Sequence, residues 1–463
     1  MKAVICSAVL AASLYGVASA AAFTPSQQLR SAPANHVGFH SMLFPTTPYS
    51  AKEEMFAQAK AAGASSIRVD LSLSAIFTRG EYRGHPFYQT NWAATDQYAE
   101  LSNRYGVRVL ADVYATPWFI ADCPAGVSRE DAYHCPAADL GRYQQMVADV
   151  AARYAGVIND FEIINEPDTS RAFYGTPVQY ARMLSAAADG VHGANPAGRV
   201  AIGGVARISD TVFTDAVLDS DSSLAAKIDI PTMHLRTSAR GTATLVSAWR
   251  EYYDAHGIRG PLWLTEFGYP AATAFQYDTK FQGGEEAQAQ FLASAMPGII
   301  GAGADKFFVT QRDWGSGAFA SEGILDAPDP LPDNPVVRRR PAFDVIKRAS
   351  AGIVPVAVPA PRGTTRLSSR QKSTIKVVRK SVTLIFACPA VGACPQDRLL
   401  FRYPNGNAYR VITPLIAGGA TASVKVPLTK TGLRQFQRAG KRGLLMRLMT
   451  TKGVVLSKIR VVG

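Results

Sequence analysis

Eight times between Val37 and Gln311 the sequence passes from a short run rich in Val, Ile, Phe or Leu into a longer stretch with helical spacing of its apolar residues. Alternating strand and helix units build a parallel sheet covered by helices, and eight of them in about 330 residues fit a (β/α)8 barrel. The expected strands are Val37 to His40, Ser66 to Asp70, Val107 to Val113, Asp160 to Ile164, Val200 to Gly204, Ile228 to His234, Leu262 to Glu266 and Lys306 to Gln311. Helical stretches between them include Ala51 to Ala62, Trp92 to Tyr105, Leu140 to Tyr154, Pro177 to Val191, Thr242 to His256 and Glu285 to Ile300. Gly63, Gly106, Gly156, Gly257 and Gly301 stand where a helix must stop, a position that favours the left-handed dihedrals glycine tolerates. A doubly wound open sheet is the alternative, but no Gly-x-Gly-x-x-Gly turn follows the first strand.

The 463 residues exceed what one core usually holds. Met1-Lys2, an apolar run to Val17 and Ala18-Ser19-Ala20 read as a secretory signal over residues 1–20 with an Ala-x-Ala cleavage site. A membrane anchor is the rival reading; the run is short, polar sequence follows, and no later run is apolar enough to span a bilayer. The barrel is expected over 21–350, a linker rich in Pro, Val and Ala over 351–370, and a small all-β domain over 371–463. Its β-rich runs, Ser373 to Val378, Ser381 to Ala387, Arg398 to Tyr403, Ala408 to Pro414, Thr421 to Val426, Leu444 to Met449 and Gly453 to Val462, suggest an immunoglobulin-like antiparallel sandwich of roughly seven strands.

Export shapes the reading of the cysteines. Once Cys6 leaves with the signal, Cys123 with Cys135 and Cys388 with Cys394 form two close pairs, each expected to close a disulfide rather than hold a metal. Charge is divided as sharply: from Pro361 onward there are 20 Lys and Arg and one acid, Asp397, while the whole chain carries +13. The basic tail could hold the protein to an anionic cell-wall polymer or acidic polysaccharide, or be a solubilising surface with no partner. Export and the lack of a nucleic-acid motif argue against nucleic acid.

Two strand ends carry carboxylates. Phe161-Glu162-Ile163-Ile164-Asn165-Glu166-Pro167-Asp168 closes the fourth strand, where Pro167 ends the ladder and leaves Glu166 at its terminus. Leu262-Trp263-Leu264-Thr265-Glu266-Phe267-Gly268-Tyr269 ends the seventh in an acid, costly there unless the charge is paired or used. Either alone could be a polar turn or a rim salt bridge. In a barrel, however, both face the cleft at the C-terminal ends of the strands, and two such carboxyl groups are what glycosidic hydrolysis requires.

Asn165-Glu166-Pro167 with Thr265-Glu266-Phe267-Gly268 resembles the clan of retaining (β/α)8 glycosidases, cellulase-like enzymes that include glycoside hydrolase families 5 and 39. The resemblance covers Val37 to Ala349 and implies that Glu166 is the acid/base, Glu266 the nucleophile and Asn165 a partner of the sugar 2-hydroxyl. Arg68 resembles the clan arginine that keeps the nucleophile ionised, and His234 the clan histidine lining the cleft. Trp314 resembles the platform on which a sugar stacks; Tyr114 and Trp118 are candidates for further subsites. The sequence departs from family 5 at Arg236, where many members have Tyr, and at Tyr114, where many have His.

The expectation is a secreted glycosidase that opens β-linked O-glycosidic bonds of a carbohydrate substrate by double displacement, needing no metal or organic cofactor. Its rivals are a non-catalytic polysaccharide-binding protein and a transglycosylase using the same carboxylates.

Overall fold

A computed structural model describes residues 35–83, 85–209, 211–352, 366–368, 371–372, 374–388, 398–402, 408–413, 416, 420–450 and 455–462. The expected leader and most of the expected linker lie outside them. Eight strands, β1 (Val37–His40), β2 (Ser66–Ser72), β3 (Arg108–Tyr114), β4 (Asp160–Ile163), β5 (Arg199–Ile202), β6 (Thr232–Leu235), β7 (Trp263–Phe267) and β8 (Lys306–Thr310), form one sheet. Its order is β5-β4-β3-β2-β1-β8-β7-β6, and every pairing is parallel. A parallel bridge from Ala201 to Ile230 closes the ring. Here β6 starts later than the expected Ile228, because Pro231 has no N–H to continue the ladder.

A helix of two turns or more follows each strand: α1 (Tyr49–Ala61), α2 (Ala93–Tyr105), α3 (Leu140–Arg153), α4 (Pro177–Ala194), α5 (Val212–Ser220), α6 (Ala239–Ala255), α7 (Glu285–Gly301) and α8 (Pro341–Ser350). Their local causes are plain in α3 and α4. In α3, Tyr143, Met146, Val147, Val150 and Ala151 are buried at spacings of three and four, and the Asp139 carboxylate accepts the Arg142 N–H at its start. Thr176 and Gln179 form a capping box ahead of Pro177 in α4. The left-handed stop after α7 is Gly303 at φ 100°, not the expected Gly301, which remains inside the helix. Between β2 and α2 an antiparallel hairpin, Phe77–Tyr82 with His85–Thr90, is inserted.

Parallel strands alternate their side chains between the barrel interior and the helical layer. Leu110, Ala201, Ile230, Trp263 and Phe308 make a compact apolar plug inside the ring. Gly38 is needed beside it, since a Cβ there would lie 2.6 Å from the Phe308 ring. The plug contributes roughly 1.5 to 3 kcal/mol per large side chain and gives the residues above it a firm floor.

The second domain has a separate core, including Leu384, Phe386, Phe401, Phe436, Met446, Leu448 and Val461. One sheet pairs Ser381–Ala387 with Thr421–Pro427 and with Arg366–Leu367. The other has five strands, in the order Thr374–Lys376, Val455–Val462, Leu444–Thr450, Arg398–Arg402, Ala408–Ile412. It is antiparallel except at its first pair, which is parallel. A helix, Lys430–Ala439, absent from the expected strand pattern, adds Phe436 to the core. Among the described residues no helix is long and apolar enough to cross a membrane.

Candidate active site

Two residues beyond the apolar plug the inward positions turn polar. Leu110 is followed by Asp112, Trp263 by Thr265 and Phe308 by Thr310, all buried, while Gly38 and Ala201 lead to His40 and Gly203. Glu162 sits at the same level with Arg68 and is completely buried. Its carboxylate accepts from Arg68 Nε at 2.6 Å, Thr265 Oγ1 at 2.9 Å and the Gly204 N–H at 3.1 Å. Buried charge is tolerated only with such partners. Glu162 is thus the anchor of Arg68, and Arg68 directs its other nitrogens upward, to Asn165 Oδ1 at 2.8 Å and Glu266 Oε1 at 3.4 Å.

The exit from β4 departs from ideal strand geometry. Ile164 and Glu166 adopt left-handed backbone, φ 61° and 44°, an uncommon conformation for any side chain and a strained one for a β-branched residue. The Glu166 N–H is held by the Gly204 carbonyl at 3.1 Å. Glycine is required alongside: a Cβ on Gly203 would overlap the Ile164 carbonyl oxygen, and one on Gly204 would overlap the His234 ring. This turn leaves the Glu166 side chain one-quarter exposed, with Oε1 3.0 Å from His234 Nδ1.

Glu266, at the end of β7, is nearly buried and surrounded by cationic or polarisable groups. Arg236 Nη2 donates to Oε2 at 3.0 Å and Arg68 Nη1 to Oε1 at 3.4 Å, with His40 and His234 each 3.7 Å away. Burial alone would raise the Glu266 carboxyl. The charges of His234, Arg236 and Arg68 and the proximity of His40 more than reverse this and hold it far below the usual carboxylate range. Burial pushes His40 the other way, down to about 3, and among the described residues neither of its ring nitrogens has a hydrogen-bond partner. For His234 burial is outweighed by Glu266 and the Glu166 hydrogen bond, which raise it.

Arg236, which the sequence marks only as a departure, is built into this site. Its Nε and Nη2 each donate at 2.9 Å to the two oxygens of Glu322, itself 1% exposed and bonded to Thr310 Oγ1 at 2.9 Å. Arg236 also lies 4.9 Å from the centre of the Phe319 ring, on which Trp314 stacks at 4.6 Å. Glu322 comes from the loop after β8, and neither its position nor its neighbours gave a sequence signal.

A cavity of about 220 Å³ opens over Glu166 and Glu266, walled by Tyr114, Tyr133, Asn165 and Trp314 among others. Asp70 and Asp112, both unanticipated, also line it. Burial raises Asp70 to about 7 and Asp112 well above its ordinary value, against the pull of Arg68. Of the expected residues, Asn165, Arg68, Trp314 and Tyr114 line the cavity and His234 bonds Glu166. Trp118 is not among its walls. Pro117 leads it into a short 3-10 turn, where it is 38% exposed beneath the Arg129 guanidinium at 3.7 Å. The Cys123–Cys135 disulfide is formed, with Cα atoms 5.2 Å apart, and ties down the loop that carries Tyr133 and His134. The second expected pair falls partly outside the described residues, at Cys394.

Glu166, His234 and Glu266 each offer one donor atom within 4.8 Å of the other two, a spacing that a cation could bridge. Guanidinium nitrogens at 3.0 and 3.4 Å from the two Glu266 oxygens already supply positive charge there and would repel a metal ion. The same bound brings the carboxyl groups of Glu166 and Glu266 to the two sides of one small cleft.

No family model matches this sequence, and no curated protein matches it. Solved structures do. A glucosidase from Croceicoccus marinus is similar with a TM-score of 0.51 at 16% identity, over 83% of this chain and 81% of that one. A family 39 glycoside hydrolase from Bacteroides cellulosilyticus gives 0.51 at 14% identity, over 85% and 80%. A family 39 β-xylosidase from Caulobacter crescentus gives 0.50 at 14% identity, over 87% and 98%. At such identities the likeness establishes the fold.

Proposed function

We propose that the protein is a glycosidase of the retaining type, with Glu266 as nucleophile and Glu166 as acid/base. The observation that carries this reading is the carboxylate pair itself, with donor atoms within 4.8 Å of each other at the C-terminal end of a parallel barrel, one carboxylate held ionised by His234, His40 and two arginines. In the first step a Glu266 oxygen bonds to the anomeric carbon while the bond to the leaving oxygen breaks. That oxygen takes a proton from Glu166, whose Oε1 lies against His234 Nδ1. In the second, water attacks the anomeric carbon, gives a proton to Glu166, and the Glu266 ester bond breaks.

Arg68 accounts for how Asn165 would take part. By donating to Asn165 Oδ1 it leaves the amide N–H groups for a sugar 2-hydroxyl, a contact that strengthens in the transition state. Trp314, stacked on Phe319 at the cavity wall, offers an apolar face to a pyranose ring. The protein is read as secreted from its N-terminal sequence, and its substrate as a β-linked polysaccharide or oligosaccharide.

Hydrolysis of aryl β-glycosides and β-linked polysaccharides tests this, comparing the unaltered chain with Glu166→Gln and Glu266→Gln and following the first-formed anomer by NMR. The expected result is activity with retained configuration, reduced at least ~10³-fold by Glu266→Gln. An inverted product would exclude double displacement. Glycan binding without turnover would favour a carbohydrate-binding protein.

A further inference from the structure

The twenty cations of the C-terminal region include a row that the sheet register brings together. In Leu444–Thr450 and Val455–Val462, Met446, Leu448, Ile459 and Val461 are buried in the core, so the alternate residues Arg447, Lys458 and Arg460 face outward, and all three are exposed. Arg447 stands directly opposite Lys458 on one side and Arg402 on the other. Three cations therefore sit side by side across three neighbouring strands, with roughly 5 Å between adjacent Cβ atoms. Arg460 pairs with Thr374, two residues from the exposed Lys376.

Like charges directly opposite on adjacent strands destabilise a sheet. A domain that needed only solubility would disperse them or alternate them with acids, yet the region from Pro361 contains a single acid. Arg402 is half-buried, and its Nε has no hydrogen-bond partner among the described residues. The outward neighbours on this face include Leu445 and Ile412, and no aromatic side chain stands among its described outward positions. Stacking on aromatic rings, the usual means of holding single-stranded nucleic acid, is thus not provided.

We propose that this outer sheet face is a docking surface for a linear acidic polysaccharide, whose sugar carboxylates pair with the Arg402, Arg447 and Lys458 row and with Arg460 and Lys376. The choice of a polysaccharide over other polyanions rests on the glycosidase reading of the barrel. The cation row itself does not.

The full chain carrying Glu266→Gln, chosen to suppress turnover of the probe, is titrated with polygalacturonate, with its methyl-esterified form and with duplex DNA. Two charge-matched variants are compared in that background. One is Arg402→Gln with Arg447→Gln and Lys458→Gln. The other is Lys430→Gln with Arg434→Gln and Arg438→Gln, which removes three exposed cations from the helix of the same domain. Polygalacturonate binding should weaken about tenfold or more in the sheet variant and less than about threefold in the helix variant, and should be lost with the esterified polymer. Arg447→Gln alone, should the triple change unfold the domain, is expected to weaken binding about threefold. Equal losses in the two triple variants would reduce the effect to net charge and overturn the proposal, as would no binding to polygalacturonate or tighter binding to DNA. Failure of the glycosidase reading would appear separately, in the activity of the unaltered barrel.

Discussion

Arg68 and Arg236 lie inside the barrel, largely buried, and each contacts two or more carboxylates. Arg447 and Lys458 lie on the outer face of the second domain and have each other as cross-strand neighbours. The first two are held by the fold and in turn hold Glu266. The second two are left in water, where repulsion is screened within about 10 Å at moderate salt. Fully compensated charge marks machinery that works internally, while uncompensated charge on a regular surface is available to something outside the molecule.

The comparison breaks most visibly at Arg236. Arg236→Met would leave Glu322 buried beside Thr310 with no cation, a loss of about 3 to 5 kcal/mol in denaturant unfolding, most of it recovered when Glu322→Leu is added. A cost under about 1 kcal/mol would mean that the pair is not structurally coupled. A milder change, Arg236→Gln, should shift the acid limb of kcat/KM upward by about one pH unit if Glu266 is the proposed nucleophile, because one of the charges holding its carboxyl low is removed. An unmoved limb would assign that depression to Arg68 and the histidines alone.

Lys306 provides an intermediate case, a cation buried on the barrel floor that donates to the Ser65 and Ser66 hydroxyls at 3.0 and 2.7 Å and lies 5.1 Å from the centre of the Trp263 ring. Burial lowers its amine from 10.5 to about 7. Between those values the unfolded chain binds the extra proton, so stability rises with pH across that window and is penalised below it. Lys306→Met should therefore stabilise by about 1 kcal/mol at pH 7, with the gain shrinking towards pH 10; a gain constant with pH would point to packing instead. The smallest effect is expected on the sheet face. Arg447→Ala should change stability by less than about 0.5 kcal/mol, in the stabilising direction, and a thermal melt showing clear destabilisation would mean that the row is a structural element.

What the sequence revealed follows the same division. Strands and the two terminal glutamates are legible because each is a contiguous signal: an apolar run ending in Asn165-Glu166-Pro167 or in Glu266-Phe267-Gly268. Arg68 and His234 become legible only with the resemblance, since a lone Arg or His in a strand has many uses. Glu322 was invisible because it reaches Arg236 across 86 positions of chain, from a loop without periodicity. Trp118 stands outside the cavity walls for a related reason, as an aromatic near a strand end does not say which way the following turn carries it. The helix Lys430–Ala439 was missed because only Leu433 and Phe436 give it an apolar side, too few to register as a helical period.

Gly203 and Gly204 have no side-chain functional group and still fix where Glu166 points. One added methyl at either would press on the Ile164 carbonyl or the His234 ring. Since Gly and Ala codons differ by one base, the genetic target for inactivating the barrel is wider than its chemistry. A survey of inactivating mutations would find hits in β5's exit as well as at the glutamates, and natural variants would be constrained there by shape alone.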